Sequence, residues 1–301
     1  MSRSYAIYDV FTDRALAGNP LAVVFDSDGL DLQAMQTIAR EFNLSETVFI
    51  LPPEKPASSA ALRIFTPGRE LPFAGHPTVG AAIAIAESRG LTGTSIQVLE
   101  EQVGMVRAAV TISDDEPAFA EFDLPRLPER VAFDASREAV AAALGVDPLE
   151  IGFENHKIAA WSAGNPYATV PVAGLAVAEK VSVDAKLWLD LAPTVGGVVA
   201  DPYVYCRETV QHDCSFHARM FAPWQGIAED PATGSAAAAF AGQIMHFDEP
   251  VDGPSSFWIE QGMEMGRPSR IRLEIDVKGG MMDAARIGGG AVKVAEGQLH
   301  A

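Results

Sequence analysis

The 301-residue sequence predicts an α+β fold of two similar domains, each a sheet wrapped around one buried helix. Short phrases recur in the same order in the two halves. Two helical segments, PTVGAAIAIAES and PATGSAAAAFAGQIM, show no polar face, and a helix apolar all round is buried all round. Strand-like runs flank both.

The repeats come in three pairs. AGNPLAVV (17–24) returns as AGNPYATV (163–170), with six of eight positions identical. RIFTP (63–67) returns as RMFAP (219–223). GHPTVGAAIA (75–84) returns as EDPATGSAAA (229–238), so that Pro77 matches Pro231 and Gly80 matches Gly234. The offsets are 146, 156 and 154 residues, too long for a solenoid repeat and right for a duplicated domain.

Taken in order, residues 5–11 and 21–25 read as strands around an Asn-Pro turn. Leu32, Met35, Ile38, Ala39 and Phe42 recur at helical spacing after Asp31. Residues 48–51 and 61–65 are strand-like, and a helix runs from Pro77 to about Ser88, ended at Gly90. Strands follow at 95–99, 103–112 and 118–123. The proline-broken DLPRLPER (123–130) marks the crossing between domains, giving 1–124 and 125–289. In the second half a helix spans 136–144 and strands span 158–163, 167–172, 203–206 and 215–221; the second apolar helix starts at Pro231. The tail reads as strands and glycine turns.

Composition narrows the function. A formal charge of −18, spread along the chain, repels phosphate backbones and argues against nucleic acid. No run of about 18 apolar residues offers a membrane span. The N-terminus lacks the apolar core of a signal peptide, so the expected location is cytoplasmic. Two cysteines exclude a disulfide framework. Cys206, His212, Cys214 and His217 cluster in sequence, but strands around a turn send neighbouring side chains to opposite faces, and no CxxC or HExxH spacing points to a metal.

The two helix starts carry the chemistry. Proline favours the first helical position and the preceding residue the cap, so His76 and Asp230 are expected at matching caps of two buried helices. The first N–H groups of each helix lack intrahelical partners and carry the positive end of the dipole, which suits a carboxylate. Glu46, in NLSETVF (43–49), lies between a helix and an apolar strand. The matching stretch of the second half is taken as LAPTVGGVV (191–199), which has no acid. A partly buried Glu46 would have a raised pKa and exchange protons near neutrality.

GNPLAVV, NLSETVF, RIFTPGRELPFAGHPTVGAA and GIAEDPATGSAAA together resemble the phenazine-biosynthesis PhzF-like family, related to diaminopimelate epimerases and proline racemases. The resemblance implies two pseudo-symmetric β-barrel-like domains, each around a central helix, with the active site in the cleft between them. It implies no cofactor and a homodimer, and it sends the C-terminal strand (290–301) back to complete the first barrel. By position it makes Glu46 the proton-shuttling acid/base and makes His76 and Asp230 substrate-orienting, proton-handling groups. Ser235, with the amides of Gly75 and Gly234, would hold the substrate carboxylate; Asn19 lies near the cleft. The racemases and epimerases place cysteines at these helix starts, and this chain has none there. The expected activity is a cofactor-independent isomerase that shifts a hydrogen on a small carboxylic acid such as a dihydro-hydroxyanthranilate. A racemase or epimerase of an amino or imino acid, or a non-catalytic ligand-binding protein of the same fold, is the alternative.

Overall fold

The structure, a computed structural model, describes residues 2–301. The chain divides into two compact units, Met1–Pro125 with Ile287–Ala301, and Arg126–Arg286.

The first unit is a closed eight-stranded ring around one helix. Strand β1 (Ser2–Val10) pairs antiparallel with β2 (Asn19–Val24). The loop between them needs Gly18, which has φ +64° and no room for a side chain: an added Cβ would sit 2.3 Å from the Val10 carbonyl oxygen. Helix α1 (Leu32–Phe42) carries the chain over to β3 (Glu46–Leu51), parallel to β2. Asp31 caps that helix by accepting the Ala34 N–H. Its apolar face, Met35, Ile38 and Ala39, packs on Val24, Phe49 and Phe65.

β4 (Ala60–Phe65) returns antiparallel to β3, with the two-residue β5 (Glu70–Leu71) along its end. Helix α2 (Gly75–Ser88) then threads the ring. β6 (Gly93–Glu101) lies parallel to β4, and β7 (Gly104–Ile112) and β8 (Phe119–Asp123) follow antiparallel. The ring is closed by the chain's last strand, β19 (Met281–His300), which pairs with both β1 and β8. Twelve of the fourteen α2 residues are buried, which is why its sequence has no polar face. Small residues let the strands approach: a Cβ at Gly80 would meet Leu21 Cδ2 at 2.5 Å and Val10 Cγ2 at 2.8 Å.

The second unit repeats the order. β9 (Glu129–Val131) pairs with β10 (Ala159–Ser162), which runs antiparallel to β11 (Pro166–Pro171). Between β11 and the next long strand lie α4 (Leu175–Ala178), α5 (Ala185–Leu191) and a small hairpin of β12 (Thr194–Val195) and β13 (Val198–Val199). With α3 (Arg137–Leu144) these helices build an outer core around the buried Trp188, whose indole N–H donates to the Ala200 carbonyl. β14 (Asp201–Cys206) is parallel to β11 and antiparallel to β15 (Phe216–Ala222), beside which runs the short β16 (Ile227–Asp230). Helix α6 (Gly234–Phe247) precedes β17 (Gly253–Gln261), parallel to β15, and β18 (Ser269–Lys278), antiparallel to β17.

The strand registers show which residues correspond. Leu21 pairs with Glu46 across the parallel β2–β3 ladder, and Tyr167 pairs with Asp201 across β11–β14. Ala60 pairs with Leu99 across β4–β6, and Phe216 with Ile259 across β15–β17. Two sequence expectations are corrected here. The stretch 191–199 is not the counterpart of the Glu46 segment: it belongs to the end of α5 and the hairpin that follows it, and the counterpart of Glu46 is the acid Asp201. Nor do His76 and Asp230 occupy caps. Helix α2 begins at Gly75 with Ala74 as its N-cap, so His76 is its second residue. Pro77 is tolerated inside the first turn because an N–H there would have no intrahelical acceptor. Asp230 ends β16, opposite Met220, and α6 starts four residues later after Thr233. The Thr233 hydroxyl donates to Asp230 Oδ2 at 2.5 Å, and such local side-chain bonds compete with helix formation.

Among the described residues no helix is long and apolar enough to cross a membrane.

Candidate active site

In the first unit, α1 stops at Asn43, whose N–H still donates to the Ala39 carbonyl and whose left-handed conformation (φ 50°) turns the chain out of the helix. The chain turns there and enters β3 at Glu46. From that position Glu46 Oε2 lies 3.4 Å from His76 Nε2. His76 is 5% exposed, and burial pushes its imidazole down to about 3, so the ring is neutral near pH 7. The Glu46 side chain is 13% exposed, leaving a narrow opening to solvent. Asn19, the first residue of β2, is fully buried, whereas Asn165, its counterpart in the repeated phrase, is exposed.

In the second unit, Asp230 is 6% exposed and tied to its turn by Thr233. Ser235, the second residue of α6, is half-buried, and its Oγ lies 2.7 Å from the Tyr167 hydroxyl. Asp201 faces Gln225, whose amide nitrogen donates to both carboxylate oxygens at 2.9 and 3.1 Å. Neither buried helix has a side-chain cap: Ala74 and Thr233 make no capping bond. Gly75 and Gly234, the first residues of the two helices, are buried.

A matched pair of residues stands behind the two helix starts. Glu101 and Gln261 are the last residues of β6 and β17, strands of nine residues in equivalent ladders. Gln261 donates to the Asp230 carbonyl at 2.7 Å and to Thr233 Oγ1 at 3.0 Å, and it accepts the Thr233 N–H. Glu101 Oε1 lies 2.9 Å from Thr78 Oγ1, which also lies 2.8 Å from the Ala74 carbonyl. A threonine hydroxyl has one proton. Given to Ala74, it leaves the oxygen to accept from a protonated Glu101. Burial pushes the Glu101 carboxyl up to about 8, which keeps that proton in place. The neutral acid thus takes the part in the first unit that an amide takes in the second.

Sequence reasoning missed Tyr167, Asp201, Glu101 and Gln261. Tyr167 had a visible signal, since it replaces Leu21 inside the repeated phrase. The cluster around His217 was also missed. Its ring bridges Glu260 and Glu264 at 2.9 Å each. Burial alone would lower its pKa, but the two carboxylates prevail and hold it up at about 9.

The two thiols are poor candidates for chemistry. Burial pushes Cys206 up to about 12 and Cys214 up to about 11, so neither is a thiolate near pH 7. Among the described residues no group of three or more His, Cys, Asp or Glu is arranged to hold a metal ion. A cavity of about 780 Å³ in the first unit, lined by Tyr8, Glu87 and Lys293 among others, takes in none of the candidate residues. The Glu46–His76 contact, and not cavity size, marks the candidate site.

The sequence model of the phenazine biosynthesis-like protein family matches residues 8–297. The chain belongs to this family. An uncharacterized isomerase from Mesorhizobium japonicum is 62% identical over 299 residues, covering 99% of each chain. The trans-2,3-dihydro-3-hydroxyanthranilate isomerase of Pseudomonas aeruginosa is 33% identical over 298 residues, covering 98% of this chain and 99% of that one. A crystal structure of a PhzF-family phenazine biosynthesis protein from Bacillus anthracis superposes over 100% of both chains with a TM-score of 0.88 and 26% identity. By this kinship the phenazine biosynthesis-like chain is an isomerase, and its α+β fold of sheets around buried helices is that of the family.

Proposed function

We propose that the enzyme is a cofactor-independent acid/base isomerase. It moves a hydrogen along the carbon framework of a small cyclic carboxylic acid, with trans-2,3-dihydro-3-hydroxyanthranilate, the compound named for its relatives, as the first substrate to try. The observation that carries the reading is the buried contact of Glu46 with a neutral His76 at the uncapped start of α2.

Glu46, as carboxylate, removes a proton from a carbon activated through the conjugated carboxylate. The electron pair left behind delocalises toward that carboxylate as an enolate-like charge. N–H groups of Gly75 and Gly234 at the two helix starts stabilise it, in the manner of preorganised donors. Glu46, now protonated and exchanging with solvent through its narrow opening, delivers a proton to a different carbon, so one proton is taken and one is returned and the atoms balance without an external reagent. The neutral His76 ring holds Glu46 in place and relays protons to it, taking one at its second nitrogen as it gives one up. Ser235 binds the substrate carboxylate, Asp230 orients the substrate, and Asn19 helps shape the site. The enzyme works in the cytoplasm, and as a homodimer, the latter as the family resemblance implies.

One observation favours a second reading. Asp201 at the position matching Glu46 gives the fold two acids in equivalent places, as a two-base racemase or epimerase would need. Its carboxylate, however, is engaged by Gln225 through both oxygens. The product distinguishes the readings. Turnover of trans-2,3-dihydro-3-hydroxyanthranilate in deuterated water, followed by proton NMR, should give a double-bond isomer labelled at one carbon. A stereoisomer of the starting material would instead establish epimerisation, and an unchanged substrate without label would remove this substrate class.

A further inference from the structure

The duplicated scaffold places different side chains at one equivalent position. In the first AGNP phrase the next residue is Leu21, whose methyl group fills the space beside Gly80 on α2. In the second phrase it is Tyr167, which reaches the start of α6, where Ser235 follows Gly234, the match of Gly80. A packing contact in one unit has become a hydroxyl–hydroxyl hydrogen bond of 2.7 Å in the other.

Tyr167 is well placed to fix its partner. It is 4% exposed and lies in β11, held on one side by the antiparallel ladder to β10, opposite Trp161, and on the other by the parallel ladder to β14. Its hydroxyl is therefore set by a sheet and not by a loop. Ser235, by contrast, is half-buried in the first turn of a helix, and a serine hydroxyl alone rotates to suit any neighbour. Of the two groups the phenol is the more acidic and the better donor. When an anion meets Ser235, the polarity of the chain is fixed as Tyr167 O–H to Ser235 Oγ, and Ser235 O–H to the anion. Each bond of such a chain polarises and strengthens the next.

We propose that Tyr167 is a positioning residue for the substrate carboxylate, orienting the Ser235 hydroxyl so that its proton is presented to the anion. This rests on the reading of Ser235 as a carboxylate-binding residue. It adds a specificity device: the relay rewards a carboxylate, because bonds to charged acceptors are stronger than bonds to neutral ones. A carboxamide or ester of the same shape gains less from it.

The test is a double-mutant cycle of Tyr167→Phe and Ser235→Ala, which keeps the ring and its packing in place. Two quantities are read: KM and kcat for trans-2,3-dihydro-3-hydroxyanthranilate, and the calorimetric affinity for anthranilate against anthranilamide. Y167F should raise KM about tenfold, as expected for loss of one charge-coupled hydrogen bond, with kcat within about twofold. The preference for anthranilate over anthranilamide should fall by a similar factor. In the S235A background, adding Y167F should change KM and both affinities by less than about twofold, because the relay is already broken. Equal effects of Y167F in both backgrounds, or no effect in the parent enzyme, would overturn the role of Tyr167 while leaving the carboxylate site standing. A parent enzyme that binds neither the substrate nor anthranilate would overturn the carboxylate reading itself and the relay with it.

Discussion

Replacing Glu101 by Gln should stabilise the protein at neutral and alkaline pH and destabilise it slightly in acid. The Glu101 carboxyl is buried against Thr78 and held at about 8, against an ordinary value of 4.5. Between those two values the folded chain keeps a proton that the unfolded chain has lost. Stability therefore falls as pH rises from 4.5 to 8 and does not fall further on this account above 8. At about 1.4 kcal/mol for each tenfold change, the cost is about 3 kcal/mol at pH 7 and about 5 kcal/mol beyond pH 8. Glutamine carries no such cost, and Gln261 shows that an amide serves at the equivalent place. One amide hydrogen without an acceptor would offset about 1–3 kcal/mol of the gain. The net expectation is roughly 1–2 kcal/mol at pH 7, or a rise in Tm of about 5 °C for a chain of this size. Thermal unfolding of both proteins at pH 4.5, 7 and 8.5 checks this. The variant should be about 1–3 kcal/mol less stable than the parent at the lowest pH, because of the amide hydrogen without an acceptor, and should gain on the parent with each step up in pH. A difference independent of pH, or a variant less stable than the parent at pH 8.5, would refute a neutral buried Glu101.

Two further outcomes follow from the packing. Gly80→Ala should destabilise the first unit by about 1–3 kcal/mol, since the new methyl meets Leu21 and Val10 at 2.5 and 2.8 Å; urea unfolding measures it. His217→Gln should cost about 3–5 kcal/mol at pH 6 by leaving Glu260 and Glu264 without their cation. Because His217 is held at about 9, its contribution is fully present below pH 6.5 and is lost as pH rises to 9. The gap between parent and H217Q, followed by denaturation across that range, should narrow accordingly.

The duplication and the two buried helices were legible because both are written in local patterns. Three phrases recur in order, and α2 and α6 have no polar face to present to water. The helix starts were less legible. A proline after His76 and another after Asp230 suggested the same cap, yet only the first lies inside a helix. Asp230 is drawn into a β-ladder and held by Thr233, contacts with Met220 and Gln261 that sequence spacing does not reveal. Asp201 escaped for a related reason. The hairpin between α5 and β14 lengthens the crossover of the second half, so an alignment by distance along the chain lands on 191–199, whereas strand pairing lands on Asp201 opposite Tyr167. The Glu46–His76 contact joins residues 30 positions apart on a strand and a helix, and only the family likeness put them in one site. Tyr167 stood out as the one large change in a repeated phrase, but its partner Ser235 lies 68 residues on.

The central claim is that Glu46 carries the proton. Glu46→Gln keeps the size of the side chain and removes its ability to take a proton, and the measurement is the rate of product formation from trans-2,3-dihydro-3-hydroxyanthranilate by this variant and by the parent. Positioned acid/base groups contribute about 10²–10⁴-fold, so the variant should lose at least about a hundredfold in kcat while its Tm stays close to that of the parent. A folded E46Q enzyme that turns over within about tenfold of the parent would contradict the account.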